Sequence, residues 1–189
     1  MKSWKVWSPM NSKRSEHAML AINGSDGSSS MVVCCGGDNN GMFLKSTEMI
    51  TISSDSDSSK QSWKRMPQMK EARIKASLVY DSNKQYLYFI GGNNGFGSVR
   101  GVQRLDMEKC QKWELLQETL YDHDDYPYVW IDSPQSGLIG VCGHDKQFGC
   151  VEYFDSRSNE WLEFVQYPTQ PHDKTTSQSH IVKMCDWFF

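Results

Sequence analysis

The residue types best suited to chemistry lie close together near position 145. Cys142, His144 and Cys150 combine two thiols and an imidazole, with Cys150 eight residues past Cys142, and these are ligand types that zinc prefers. The spacing lacks the paired Cys-x₂₋₄-Cys of structural zinc sites, and no fourth ligand is evident. Cys142 as a nucleophile with His144 as its base is the other chemical interpretation, but no orienting carboxylate or oxyanion donor can be named. The sequence therefore predicts no metal site, no catalytic residue and no cofactor.

Two further segments have compositions that suggest function. The stretch Gly91-Gly-Asn-Asn-Gly-Phe-Gly97 is glycine-rich, but it does not match GxGxxG and is expected to lead into a strand, which excludes a dinucleotide site. The segment from Ser53 to Ser59 alternates serine and aspartate, a composition that cannot bury area and predicts a loop. Its acid-flanked serines are candidates for phosphorylation, and a plain solvated linker is the alternative.

The overall composition excludes several classes of protein. The chain has 189 residues, with 20 Lys and Arg against 23 Asp and Glu, a net charge of −3 and a pI of 5.9. This balance argues against nucleic-acid binding, which needs a clear basic excess or a basic face. No apolar run approaches the roughly 18 residues of a membrane helix, and the N-terminus has no apolar core of a signal peptide. The six cysteines are scattered, which favours reduced thiols. A cytoplasmic protein without membrane contact is expected.

Three sequence markers recur in one order along the chain. The tryptophans are separated by 56, 50 and 48 residues, and they are Trp7, Trp63, Trp113 and Trp161. A second marker is an apolar run that ends on a glycine pair, and its copies end at Gly36 and Gly37, at Gly91 and Gly92, and in degraded form at Gly143 and His144. A third marker is an apolar strand that ends on aspartate, as in 102–106, ending at Asp106, and 151–155, containing Tyr153 and ending at Asp155. These recurrences predict a repeat protein.

The elements that must carry these markers are strands. Short runs rich in Val, Ile, Tyr and Phe are interrupted at hairpin spacing by turn residues, and no helical stripe of useful length is present. The sequence predicts an all-β fold in which the tryptophans fill the space between adjacent sheets.

Each unit resembles the kelch repeat, with an arginine start, a strand closing on Gly-Gly, a strand reading Val-x-x-Tyr-Asp and a Trp opening the last strand. The resemblance covers essentially the whole chain and implies a β-propeller of four-stranded antiparallel blades. It divides the chain into the last strand of a preceding blade, three blades of which the third is degenerate, and the start of a next blade, at 1–12, 13–66, 67–116, 117–165 and 166–189. Three blades are too few for a ring, so we expect an incomplete propeller, either part of a longer protein or completed by association of two copies.

The resemblance also implies where a partner would bind. In a four-stranded meander, the loop between the second and third strands opens on the same face as the connection between blades. Loops carry function when a partner exists, and the exposed aromatics favour recognition. The candidate partner-binding residues on this face are Arg14, His17, Asn40, Arg73, Asn94, Phe96, Arg100, His144 and Phe148. For Arg14 and Arg73 the alternative is a structural role within the repeat, which is the role assigned to the recurring Trp, Gly, Tyr and Asp residues named above.

Two functional classes remain open from the sequence. The first is a noncatalytic protein-interaction module, which in the kelch family means a scaffold, an actin-associated protein or a substrate receptor of a ubiquitin ligase, with a partner whose identity the sequence does not give. The second is a fragment of a propeller enzyme resembling the copper-radical galactose oxidases. Those enzymes need Tyr and His copper ligands and a Cys-Tyr crosslink, and this set cannot be mapped onto the chain.

Overall fold

The computed structural model describes residues 6–24, 29–53, 61–131, 138–144, 148–155 and 157–168. Within these ranges the chain forms antiparallel strands joined by turns and loops. The predicted all-β fold is confirmed. Among the described residues, none forms a helix long and apolar enough to cross a membrane.

The first sheet, sheet I, is a four-stranded meander with a small hairpin inserted after its second strand. The hairpin consists of β3 (Asp38–Asn39) and β4 (Met42–Phe43). The meander has the order β1-β2-β5-β6, with every neighbour antiparallel. Its strands are β1 (Ala18–Asn23), β2 (Ser29–Cys35), β5 (Thr47–Ser53) and β6 (Lys64–Met66).

The next two sheets repeat this four-stranded order without the inserted hairpin. Each is a meander in which neighbouring strands in sequence pair side by side. Sheet II contains β7 (Ser77–Asp81), β8 (Tyr86–Ile90), β9 (Val102–Asp106) and β10 (Trp113–Leu115). Sheet III contains β11 (Asp124–Ile131), β12 (Leu138–His144), β13 (Phe148–Asp155) and β14 (Glu160–Pro168).

The hydrophobic core consists of two layers, one between each pair of neighbouring sheets. The first strand of sheet II, β7, contacts both β1 and β11. Because successive side chains of a strand point to opposite faces, β8 supplies both layers. Leu87 and Phe89 pack toward sheet I, whereas Tyr88 and Ile90 pack toward sheet III. Sheet II is therefore covered by apolar contacts on both faces.

A tryptophan ties the end of each sheet to the segment that enters the same sheet. The indole Nε1 of Trp63, Trp113 and Trp161 donates a hydrogen bond to a backbone carbonyl, at 2.9, 3.0 and 3.0 Å. The acceptors are Ser8, Pro67 and Gln117. Trp113 and Trp161 are buried, each in a different core layer. The same contact thus closes all three sheets.

The repeat spacing gives Trp7 a different place from the other three. Trp63 precedes Arg73 by ten residues, and the residue ten positions before Arg14 is Trp4, not Trp7. Trp4 lies outside the described residues, and Trp7 is half-buried in the segment that enters sheet I.

Aspartates close the third strands of sheets II and III in the same way. Asp106 Oδ1 accepts hydrogen bonds from the backbone N–H groups of Glu108 and Lys109, at 3.1 and 2.9 Å. Asp155 Oδ1 accepts one from the N–H of Arg157 at 2.9 Å. Tyr153, two residues before Asp155, is half-buried in β13. These contacts begin the turn to the fourth strand.

Candidate functional site

The end of the sheets where the second strand stops also receives the connections between sheets. The backbones of Ser15 and Asp38 exchange hydrogen bonds at 2.9 and 2.8 Å, and those of Ile74 and Asn93 exchange two at 2.9 Å. These contacts hold each entering segment against the loop that follows the second strand. We call this end the loop face, and its described parts are 11–17, 38–46, 70–76, 91–101 and 119–125.

Arg14 lies inside the loop face with its side chain fully buried. Its Nη1 donates to the carbonyl oxygens of Gly36 and Ser46, at 2.7 and 3.1 Å. Its Nη2 donates to Glu48, 2.5 Å away, and the carboxylate of Glu48 is also almost fully buried. The guanidinium therefore joins the end of β2 to the start of β5 and is itself charge-balanced.

Arg73 makes the equivalent contacts in sheet II. Its Nη1 donates to the carbonyls of Gly91, at 3.2 Å, and Gly101. Its Nη2 pairs with the half-exposed carboxylate of Glu71 at 2.5 Å, and its guanidinium lies 5.9 Å from the centre of the Phe89 ring. Burial lowers the pKa of Arg73, while the bond to Glu71 opposes that effect. The group remains a cation, because an arginine pKa lies far above neutral pH.

The prediction that Arg14 and Arg73 contact a partner is corrected by their burial. Both side chains have an exposed fraction of 0%, so neither can touch another molecule in this structure. The structural alternative describes them better, since each joins two backbone carbonyls, one of which, Ser46 or Gly101, also accepts a backbone N–H.

His123 occupies the arginine position of sheet III, and the sequence reasoning missed it. Its Nε2 lies 2.7 Å from Glu152 Oε1, with both side chains 0% exposed. Glu152 also accepts hydrogen bonds from the backbone N–H groups of Leu120 and Tyr121, at 2.6 and 3.0 Å. The signal was available, because His123 follows Trp113 by the same ten residues that separate Trp63 from Arg73.

The third strand of each sheet carries a buried acceptor at one position, namely Glu48, Gln103 and Glu152. Gln103 Oε1 accepts the backbone N–H of Lys70 at 2.7 Å, and Glu48 accepts those of Asn11 and Ser12, at 2.6 and 2.9 Å. Burial alone would raise the pKa of Glu48, but the bonds from Asn11 and Arg14 outweigh it and hold the pKa below its ordinary value. Each acceptor fixes the segment that enters its own sheet.

The glycine pairs are the points where neighbouring sheets meet. Gly37 and Gly92 donate their N–H groups to the carbonyls of Arg73 and His123, at 2.9 and 2.7 Å. Gly91 has φ +68°, and a Cβ built there would lie only 2.1 Å from the carbonyl oxygen of His123. Glycine is required at this position because any side chain would collide with the next sheet.

Sheet III departs from the pair, as the sequence indicated. Gly143 and His144 lie at the end of β12, where they pair with Cys150 and Gly149 of β13. Phe148 is the first residue of β13 and pairs with Pro168. The side chains of His144 and Phe148 lie outside the described residues, so their predicted contacts with a partner stay predictions.

Three non-glycine residues with left-handed backbones form a row near the first strands of the three sheets. Glu16, Lys75 and Asp125 each stand two residues after Arg14, Arg73 or His123, and their φ angles are 51°, 57° and 59°. The N–H of Lys75 donates to the Glu16 carbonyl at 2.9 Å, and that of Tyr126 to the Lys75 carbonyl at 2.7 Å. The Lys75 ammonium lies 3.1 Å from Asp125, and this contact raises the pKa of Lys75. The row joins the three sheets near their first strands.

The remaining predicted partner-binding residues differ in accessibility. His17 is half-buried, and burial together with the nearby Arg14 lowers its pKa. Asn40 is exposed at the turn of the β3–β4 hairpin with φ 54°. Arg100 is exposed and donates to the Leu120 carbonyl at 3.1 Å. Phe96 is 100% exposed, and the half-buried Asn94 accepts its backbone N–H. Asn40, Phe96 and Arg100 therefore form the accessible part of the predicted site.

Burial limits the chemistry of the thiols that the structure describes, although Cys110 is half-buried. Cys34, Cys35 and Cys142 are buried. Burial raises the pKa of Cys34 to about 11 and that of Cys35 to about 12, so neither is a thiolate at neutral pH. In the part of the chain that the structure describes, no three His, Cys, Asp or Glu side chains are grouped as metal ligands.

Neither a protein-family model nor a curated protein matches the chain.

Proposed function

We propose that the chain is a segment of a kelch-type β-propeller and that it acts as a noncatalytic protein-binding module. The observation that carries the fold proposal is the repetition of one contact set in successive sheets. The indole-to-carbonyl bond occurs in three sheets, and the guanidinium bridge between two carbonyls occurs in two. Such recurrence is typical of units that stack in a repeat protein.

The loop face is the proposed binding surface. Its buried arginines and backbone bridges hold the connecting segments in place, while Asn40, Phe96 and Arg100 stay accessible on it. A surface whose loops are fixed before binding loses little conformational entropy when a partner arrives. Scaffolding, actin association and substrate recognition for a ubiquitin ligase are the roles that the kelch resemblance offers for such a surface.

Charge reversal on the loop face tests the proposal. Proteins retained by the immobilised chain are identified, purified and tested again by direct titration. A Lys70→Glu, Arg100→Glu double variant reverses two exposed cations on the loop face, whereas Lys112→Glu reverses one at the other end of sheet II. We expect the double variant to weaken binding and the control to leave it unchanged. Equal affinities for all three chains, with intact folds by circular dichroism, contradict the proposed surface.

We also propose that further blades, from a longer protein or from a second copy, cover the outer sheet faces. Met19 on sheet I and Leu162 on sheet III are 63% and 52% exposed, although the corresponding faces of sheet II are buried. Light scattering on the purified chain is expected to show a dimer or an aggregating monomer. A monodisperse, thermally stable monomer would contradict this part of the proposal.

A further inference from the structure

The loop between β8 and β9 is anchored on several sides. Asn93 pairs with Ile74 and with Ser98 in isolated bridges. Ser98 Oγ lies 2.6 Å from Asp124 Oδ2, which ties the loop to the start of sheet III. The N–H of Val99 donates to the Gly92 carbonyl at 2.9 Å. The loop is therefore part of the rigid framework.

The turn at the top of this loop is fixed by two asparagine side chains. Asn93 Oδ1 accepts the N–H of Gly95 at 2.7 Å, and Asn94 Oδ1 accepts the N–H of Phe96 at 3.0 Å. These bonds set the direction in which the backbone presents Phe96. The aromatic ring nevertheless packs on nothing, since Phe96 is 100% exposed.

Sheet I contributes a second apolar element beside this turn. Phe43 of the β3–β4 hairpin lies against Gly95, where a Cβ would come within 3.1 Å of its ring. Met42, next to it in the hairpin, is 67% exposed. Phe43 thus connects the two loops, and we call Met42, Phe43 and Phe96 the aromatic tip.

Open space and exposed cations lie beside the aromatic tip. A Cβ built on Gly41 or Gly97 meets no atom within 4 Å, so there is free space next to both glycines. Lys45 donates to the neutral Lys70 carbonyl at 3.0 Å and keeps its charge, whereas Arg100 lies 3.5 Å from the carboxylate of Glu118. A ligand would therefore meet an apolar tip with exposed cations beside it.

We propose that the aromatic tip is a preformed anchor that inserts Phe96 into an apolar pocket on a folded partner protein. This inference rests on the proposed binding function and specifies its mode. Because the Phe96 side chain is 100% exposed, the concave surface must come from the partner, and a pocket in a folded domain fits this better than an extended peptide. Aromatic side chains that enter pockets dominate the energetics of protein interfaces, and a rigid loop avoids the entropy cost of ordering on binding. A membrane surface is disfavoured, since insertion needs a wider apolar patch than these three side chains provide.

A photoreactive benzoylphenylalanine at position 96 of the full chain tests the mode directly. Its crosslinks to the partner purified in the binding experiment are mapped by mass spectrometry. We expect them to fall on side chains that line an apolar pocket in a folded domain. The same amino acid at position 115, where Leu115 is 58% exposed on β10, is expected to give no crosslink to that pocket.

Two substitutions distinguish the contribution of the Phe96 ring to affinity from that of the Asn94 bond that orients it. Phe96→Ala is expected to weaken the purified complex about thirtyfold, the loss typical of a dominant interface residue, while Leu115→Ala changes affinity less than about twofold. Asn94→Ala retains the ring but removes the bond to its N–H, and we expect affinity to fall about threefold through a slower association. An equal affinity for Phe96→Ala overturns the proposal even if the charge reversals on the loop face abolish binding.

The crosslink also decides between kinds of partner. Attachment to an extended segment of the partner overturns the pocket proposal. Vesicles of phosphatidylcholine with one-third phosphatidylserine provide the membrane control, and co-sedimentation that depends on Phe96 would overturn it in favour of lipid. If no purified protein binds the loop face, the proposed function itself fails.

Discussion

Sheets II and III place different polar side chains at the same buried position, Arg73 in sheet II and His123 in sheet III. Arg73 crosses from the end of β8 to the start of β9 and bonds two carbonyls. His123 stands at the same place in sheet III but is too short and has too few donors to do so. It pairs instead with the buried Glu152 of β13. The position therefore requires a buried polar group that connects the strands, and more than one residue type can provide it.

The three buried groups also show how charge is balanced inside the repeat. The Arg14 cation meets Glu48 of the third strand, and His123 meets Glu152 at the corresponding place. Sheet II has the neutral Gln103 there, and its arginine finds a carboxylate in Glu71 instead. An unpaired buried charge is costly, so a glutamine in the third strand is matched by an acid elsewhere.

Removing the arginine of sheet II should lower the stability of the chain at least as much as any other substitution. Arg73→Met preserves much of the volume but removes the guanidinium bonds to the carbonyls of Gly91 and Gly101, of which Gly101 keeps the N–H of Gly91. We expect the free energy of unfolding to fall by about 3 kcal/mol, because charge-assisted bonds to two carbonyls are lost, whereas the half-exposed Glu71 can turn to solvent. Urea denaturation measures it.

Arg100→Met is the matched control for that variant. The Arg100 side chain is 47% exposed in its pair with Glu118, and the expected loss is below about 1 kcal/mol. Similar losses for the two variants would show that Arg73 does not act through its buried contacts.

A substitution at Gly91 should disrupt the contact between sheets II and III. Gly91→Ala places a Cβ where the His123 carbonyl oxygen lies, at a φ of +68°. Because the opposing atom belongs to the backbone, one sheet must move, and we expect a loss of roughly 3 kcal/mol. The variant's melting temperature and urea midpoint report the loss.

Gly41→Ala separates the collision from the backbone preference. Gly41 has φ +84° but no atom within 4 Å of an added Cβ, so only the conformational cost of about 1 kcal/mol applies. If both variants lost the same stability, the close approach of the sheets would not matter.

A titration compares the acid of sheet I with the amide of sheet II. The folded structure holds the pKa of Glu48 below the ordinary value of 4.5. Its stabilisation is therefore fully present above that value and is lost as the pH falls through the folded pKa. Glu48→Gln, which copies Gln103, should cost about 2 kcal/mol at neutral pH, since it removes charge-assisted bonds.

The pH dependence is the decisive part of that measurement. The difference in unfolding free energy between wild type and Glu48→Gln is expected to narrow steadily below pH 4.5, because the native carboxyl becomes neutral as well. A difference that stays constant from neutral to acidic pH would contradict an ionised Glu48 in the folded protein.

The recurring markers were sufficient to predict an all-β fold but not the roles of the polar residues. Spacing of Trp113 and of the glycine pairs reports which strands repeat, because these residues serve the same contacts in each unit. Whether Arg73 is buried depends on carbonyls contributed by two strands and on the distance to Glu71, which spacing does not encode. The arginine of the repeat pattern did not predict His123, because another buried side chain that pairs with the third strand can also occupy this position.

The accessible residues show a similar limit. The exposure of Phe96 was expected from its place in a glycine-rich loop, but the asparagine bonds that fix its direction depend on the folded turn. The left-handed backbone of Lys75 has no sequence signal, since glycine is the usual residue for that conformation. Lys75 is held in this conformation by backbone hydrogen bonds to the neighbouring sheets. The sequence of one repeat cannot predict such bonds, because they form between repeats.

The smallest expected effect comes from making sheet III resemble the other two. His123→Arg would place a guanidinium beside Glu152, as Arg14 is placed beside Glu48 in sheet I, and within reach of the strand ends where Gly143 pairs with Cys150. New hydrogen bonds to backbone carbonyls at these strand ends would stabilise the variant, whereas the added side-chain volume in a packed site would destabilise it. We expect a net gain of up to about 1 kcal/mol in the free energy of unfolding, with slower amide hydrogen exchange in β12 and β13. Arg73→His is the reciprocal control, and it should destabilise because the imidazole cannot bond both carbonyls. A clear loss of stability in His123→Arg would show that sheet III is built around the imidazole, and that its departure from the repeat is a specific adaptation of that sheet.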